Sequence, residues 1–124
     1  MDQRDALTEI VIGAAIEVHR ELGPGLLESV YQRCMEHELH LRGQSFRSQQ
    51  PMPLAYKGVI LDAKLVMDIY FPDRLVVELK AVDKLVPIYE LQLLTYMKMT
   101  NSPVGLLINF NVQALRQGVK RMVL

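Results

Sequence analysis

The segment Leu75-Val76-Val77-Glu78-Leu79-Lys80-Ala81-Val82 constrains the fold more than any other. It is apolar at nearly every position instead of alternating, and a strand of that kind is buried on both faces. It predicts a strand inside a sheet that helices cover. Glu78 and Lys80 interrupt it, and a charge inside such a strand is costly unless it is paired or metal-bound. The plain alternative is a surface strand with solvated charges. The apolar flanking residues argue against that alternative.

Upstream lies Met67-Asp68-Ile69-Tyr70-Phe71, and between the two runs Pro72-Asp73 signals a turn. With a loop of Pro72, Asp73 and Arg74, Phe71 pairs with Leu75 and Asp68 falls opposite Glu78. Cβ atoms of directly paired residues are roughly 5 Å apart. Glu78 and Lys80 are two apart and share that face, while Met67, Ile69, Phe71, Leu75, Val77 and Leu79 take the other. Like charges set opposite each other are destabilising. A divalent cation would offset the repulsion, and hard cations such as Mg²⁺ prefer carboxylate oxygens. Lys80 would then hold or help deprotonate a water beside the metal.

Around this hairpin the chain orders itself without repeat, linker or low-complexity stretch. Leu7, Ile10, Val11, Ala14, Ala15, Val18 and Leu22 recur at helical spacing, which predicts a helix over 5–22 ended by Gly23-Pro24-Gly25. A second helix is expected over 26–41, ended by Gly43, with the first packed against it. Strands follow over 45–54, 59–70 and 75–81, the first at a sheet edge because of Pro51 and Pro53. A helix over 87–100 opens with Pro87 in its first turn. A buried strand over 104–110, a connection over 115–118 and a last strand over 119–124 complete the order. The pattern is α/β in the broad sense, an α+β mixed sheet flanked by helices.

The 124 residues suit a single domain, and a hydrophobic share of 50% is enough for a proper core. No run of eighteen apolar residues predicts a membrane span. The polar start Met-Asp-Gln-Arg-Asp lacks the apolar centre of a signal peptide. Cys34 is the only cysteine, which excludes an internal disulfide and a cysteine-based zinc site. A cytoplasmic location is the expectation. Lysine plus arginine and aspartate plus glutamate number 14 each, so the basic excess of a protein that holds nucleic acid mainly by charge is missing. Any such contact needs a local patch, a bridging metal or a partner.

The chain resembles the PD-(D/E)xK nuclease superfamily, the restriction-endonuclease-like fold. Asp68 followed by Glu78-Leu79-Lys80 matches its Asp…(Asp/Glu)-x-Lys signature. Gly25-Leu26-Leu27-Glu28-Ser29-Val30-Tyr31 matches the motif that names the GxxExxY family. Gln92-Leu93-Leu94-Thr95-Tyr96 resembles the Gln-x-x-x-Tyr motif of RecB-type exonucleases. Gly105-Leu106-Leu107-Ile108-Asn109-Phe110 resembles the strand that follows. The resemblance spans nearly the whole chain in the right order. One departure is Met67, which stands where the signature's proline would be.

The resemblance implies a single domain over 1–124 and a metal-dependent nuclease hydrolysing phosphodiester bonds, DNA ahead of RNA. It implies Mg²⁺ or Mn²⁺ held by Asp68, Glu78 and the Leu79 carbonyl, with Glu28 direct or through water. Lys80 would position the attacking water. Gln92 would face the substrate phosphate or the lysine, with Tyr96 beside it, four residues on along one helix face. Tyr31, three residues from Glu28, would fix that carboxylate's orientation. Each has a bland alternative: an acid in a helix's first turn is stabilised by the dipole, and Tyr96 suits an amphipathic helix core. The competing function is a catalytically silent nucleic-acid or protein-binding module that keeps the fold; the complete set Glu28, Asp68, Glu78 and Lys80 argues against it. A homodimer through the first helix is compatible with the pattern. Asp62 reads as a solvated strand end, His19, His37 and His40 as surface or interface residues, and Cys34 as a buried thiol.

Overall fold

The computed structural model describes residues 3–124, with side chains from residue 6 onward; the first residues of the polar start lie outside it. Its elements are α1 (Gln3–Leu22), α2 (Glu28–Leu41), β1 (Arg47–Tyr56), β2 (Val59–Phe71), β3 (Leu75–Lys80), α3 (Pro87–Thr100), β4 (Val104–Asn109), a 3-10 turn (Leu115–Gly118) and β5 (Val119–Val123). The strands form one sheet in the order β1-β2-β3-β4-β5. Only β3 and β4 run parallel, and α3 makes the crossover that a parallel pair requires. The mixed α+β class read from the sequence is the class observed.

Both faces of the sheet are covered. Leu7, Val11, Ala14, Ala15 and Val18 of α1 join Tyr31, Met35 and Leu39 of α2 over Ile69, Val77, Leu79, Leu106 and Ile108. On the opposite face, Leu93, Tyr96 and Met97 of α3 pack on Met67, Tyr70, Val76 and Leu107. The central strand β3 is buried from Leu75 to Leu79, as its unbroken apolar run required. Gly105 lets α3 approach: a Cβ there would lie 2.5 Å from Met97 Sδ.

The helix ends follow local chemistry. Gly23 (φ 70°) ends α1, its N–H donating to His19 O at 2.7 Å. At the end of α2, Gln44 N–H donates to Leu39 O and Gly43 N–H to His40 O, the paired bonds of a Schellman motif. Lys57 and Gly58 both have positive φ and close the β1–β2 hairpin. Among the described residues no helix is long and apolar enough to cross a membrane.

Three expectations need correction. Met67 packs with Tyr70 and Val76 on the α3 face, not with Ile69 and Val77. The β2–β3 ladder starts only at Ile69↔Val77, and β1 kinks at Gln49 (φ 47°), so regular alternation fails beside Asp68. His19 is buried, its Nε2 2.8 Å from Val112 O, because the turn region after β4 folds over α1. Cys34 is half-buried, since the α1–α2 seam leaves its outer side open.

Candidate metal and phosphodiester site

The hairpin keeps the register that a three-residue loop implies, although its ladder stops one rung short of Asp68 and Glu78. Phe71 pairs with Leu75 and Ile69 with Val77, so Asp68 and Glu78 meet just beyond the last rung. Asp68 reaches across the gap: its Oδ2 accepts the Leu79 N–H at 2.8 Å. Its Oδ1 accepts Gln49 Nε2 at 3.0 Å, and its main-chain oxygen accepts Gln32 Nε2 at 2.9 Å. One carboxylate is thereby tied to β1 and β3, and its backbone to α2.

Glu78 is 6% exposed, and its Oε1 is buried without a hydrogen-bond partner. Its pKa is pushed up to about 10, first by burial and then by hydrogen bonding to and charge on Asp68; Lys80 pulls it the other way. Without a cation this carboxyl is therefore protonated at neutral pH. Lys80, two residues on, places its Nζ 4.5 Å from the centroid of the Tyr89 ring, a cation–π contact. Beyond Lys80 the chain is clasped. Asn109 Oδ1 accepts the Val82 N–H at 3.0 Å and its Nδ2 donates to Val82 O at 2.9 Å.

The residues of the two helices are brought to the same place unequally. Glu28 is exposed at the start of α2, where partial desolvation and then the Asp68 charge raise its pKa against the pull of Lys80. Gln92 Nε2 donates to Tyr96 Oη at 3.0 Å on α3. The Tyr96 hydroxyl is raised by burial and then by Glu78, while Gln92 lowers it, so this pair borders the acids. Tyr31 turns away. It is fully buried, stacked on Phe110 at 4.5 Å, and its hydroxyl donates to Gly23 O at 2.6 Å and accepts Leu26 N–H at 3.2 Å. Neither of these bonds is to Glu28. Its ring is turned into the core, and its hydroxyl braces the loop from which α2 starts.

Among the described residues no three His, Cys, Asp or Glu side chains converge closely enough to hold a metal. What the site offers is two carboxylates and a peptide. Leu79 turns its N–H to Asp68, and a strand residue that bonds an antiparallel neighbour presents its C=O to the same edge. An orphaned buried oxygen on Glu78, a facing carboxylate and an adjacent carbonyl are all-oxygen donors, the chemistry that hard divalent cations prefer. Glu28 stands outside that set, on the wall of a groove of about 670 Å³ shared with Gln32, Arg33, Gln49 and Asp68.

Gln32, Gln49 and Tyr89 were not among the residues picked out from sequence. Tyr89 was findable, because it lies three residues before Gln92 and seven before Tyr96 and so shares their helix face. Gln32 likewise follows Glu28 by one turn. Nothing local marks Gln49. Asp62 is exposed, its Oδ1 accepting the Lys64 N–H at 3.1 Å, the solvated strand position expected of it.

A family model described as the PD-(D/E)XK nuclease superfamily matches residues 5–122. No curated protein gives a significant match. No solved structure does either.

Proposed function

Since the chain belongs to the PD-(D/E)XK nuclease superfamily, whose members generally use divalent metals, we propose that it is a Mg²⁺- or Mn²⁺-dependent nuclease of the GxxExxY type hydrolysing phosphodiester bonds in DNA. The observation that carries this reading is the Glu78 carboxyl, buried against Asp68 with one oxygen unpartnered and Lys80 two residues away. A buried polar group left unpaired is costly, and a site that is completed on ligand binding explains the expense.

Asp68, Glu78 and the Leu79 carbonyl would hold the cation, with Glu28 acting through water. When bound, the cation would polarise the phosphodiester and lower the pKa of a water. The rest of the chemistry falls to the chain. To serve as a ligand Glu78 would have to be ionised, its proton passing to solvent. Lys80, a compact charge suited to phosphate, orients the attacking water and neutralises the charge that builds on the phosphoryl oxygens. Tyr89 restrains that ammonium beforehand, so less side-chain freedom is lost at the moment of reaction. Gln92, exposed on the same helix face, would contact the scissile phosphate or Lys80.

Cleavage of labelled single- and double-stranded DNA with Mg²⁺ or Mn²⁺ tests the reading. Wild type should cut; Lys80→Ala should bind the cation and fail to cut; Asp68→Ala should lose both. Cation binding by calorimetry with no cleavage by wild type would replace the nuclease with a binding module.

A further inference from the structure

Besides the neighbouring Glu78 carboxyl, two donors hold Asp68, one expected of any strand junction and one not. The Leu79 N–H on Oδ2 belongs to the neighbouring strand. The Gln49 amide on Oδ1 comes from an edge strand, from a side chain exposed to solvent. An exposed glutamine has no packing reason to adopt one rotamer. This one also sits on a costly backbone. Its φ of 47° is in the left-handed region, which a residue other than glycine rarely adopts inside a strand. Residues held in such conformations cluster at functional sites. The kink lies between the rungs Ser48↔Ile69 and Gln50↔Met67, at the level of Asp68.

The kink is buttressed from both sides. Ser48 Oγ donates to the Glu36 carboxylate, and Gln32 Nε2 donates to that carboxylate at 2.7 Å and to the Asp68 main-chain oxygen at 2.9 Å. Helix α2 thus fixes the residue before the kink and the backbone of the acid opposite it. A carboxylate oxygen has two lone pairs, so the Gln49 amide on one oxygen and the Leu79 N–H on the other orient the Asp68 carboxylate, and a Glu78 that has lost its proton leaves lone pairs to bind further. Hydrogen-bonded partners of metal-binding carboxylates set their orientation and tune affinity.

We propose that Gln49 is a positioning residue: its side-chain amide sets the Asp68 carboxylate for cation binding, and the left-handed kink of β1 delivers that amide. The inference rests on Asp68 being a cation ligand, as proposed above.

The test is Mn²⁺ affinity by calorimetry on wild type, Gln49→Gly, Gln49→Met and Asp68→Ala, with melting curves alongside. Glycine accepts the left-handed backbone and removes the amide. Methionine keeps the length and the backbone demand and also removes the amide. Both should bind Mn²⁺ about 10- to 100-fold more weakly than wild type, the range usual for such partners, with melting little changed for glycine. If glycine and methionine both bind as tightly as wild type while Asp68→Ala does not bind, Gln49 serves only the bend of the strand and the proposal is wrong. If Asp68→Ala binds as tightly as wild type, Asp68 is not a ligand, and the proposal falls together with the site reading.

Discussion

The protonated Glu78 carboxyl makes stability in the absence of cation depend on pH in an unusual direction. Its pKa rises from 4.5 in the unfolded chain to about 10 in the fold. Between those values the folded state binds one proton more than the unfolded state, so stability falls as pH rises. The contribution is fully present below the unfolded value and is lost progressively towards the folded one. One proton corresponds to about 1.4 kcal/mol per pH unit. From about pH 6 to about pH 8 the metal-free protein should lose about 3 kcal/mol through this group, a large part of the stability of a small domain.

Urea unfolding in EDTA at the two pH values measures this, with Glu78→Gln as reference. Glutamine keeps the shape and cannot ionise. Every other ionisable group is common to both proteins, so the difference between wild type and variant isolates Glu78. That difference should move by about 3 kcal/mol in favour of the variant as pH rises. A difference that stays constant to within about 0.5 kcal/mol would mean that Glu78 is already ionised, and the argument from its buried oxygen would fail. Saturating Mn²⁺ should abolish or reverse the slope in wild type alone, because a ligated carboxylate must be deprotonated.

Tyr89→Leu should lower kcat about 2- to 30-fold with KM little altered, the worth of a cation–π contact of ~0.5–2 kcal/mol, and Tyr89→Phe should restore it; equal kcat in all three would refute a role in holding Lys80. Gly118→Ala should destabilise by ~1–3 kcal/mol in thermal melts. Its Cβ would lie 2.1 Å from the Asn109 main-chain oxygen, a backbone atom that cannot swing aside. Gly105→Ala meets the flexible end of Met97 at 2.5 Å and should cost less, so the reverse ranking would count against the packing described. Tyr31→Phe removes the hydroxyl that bonds Gly23 and Leu26, and should cost about 1 kcal/mol of stability while leaving cleavage per folded molecule unchanged; a selective loss of kcat would place Tyr31 in the chemistry after all.

What was legible in the sequence follows from how strongly each position is constrained by its neighbours in the chain. The hairpin was legible because a three-residue loop after Phe71 fixes the register, and the observed rungs Phe71↔Leu75 and Ile69↔Val77 are those it implies. Glu78 was legible because a carboxyl in a strand apolar on both sides has few inexpensive explanations. Gln49 and Gln32 were silent for the opposite reason. A glutamine is acceptable almost anywhere on a surface, and the Gln32–Asp68 contact joins residues 36 apart in sequence. Tyr31 shows the intermediate case. Its three-residue spacing from Glu28 was read correctly, but spacing fixes only a helix face, and the rotamer was decided by Phe110, 79 positions away in the chain and stacked at 4.5 Å. The same holds for Met67: a period of two carries a side chain to a given face only while the ladder is regular, and the kink at Gln49 ends that regularity beside Asp68. The irregularity that misplaced a core methionine is the one that brings an amide to the Asp68 carboxylate. Errors of alternation in a strand thus point to the place where the strand departs from packing to serve a site.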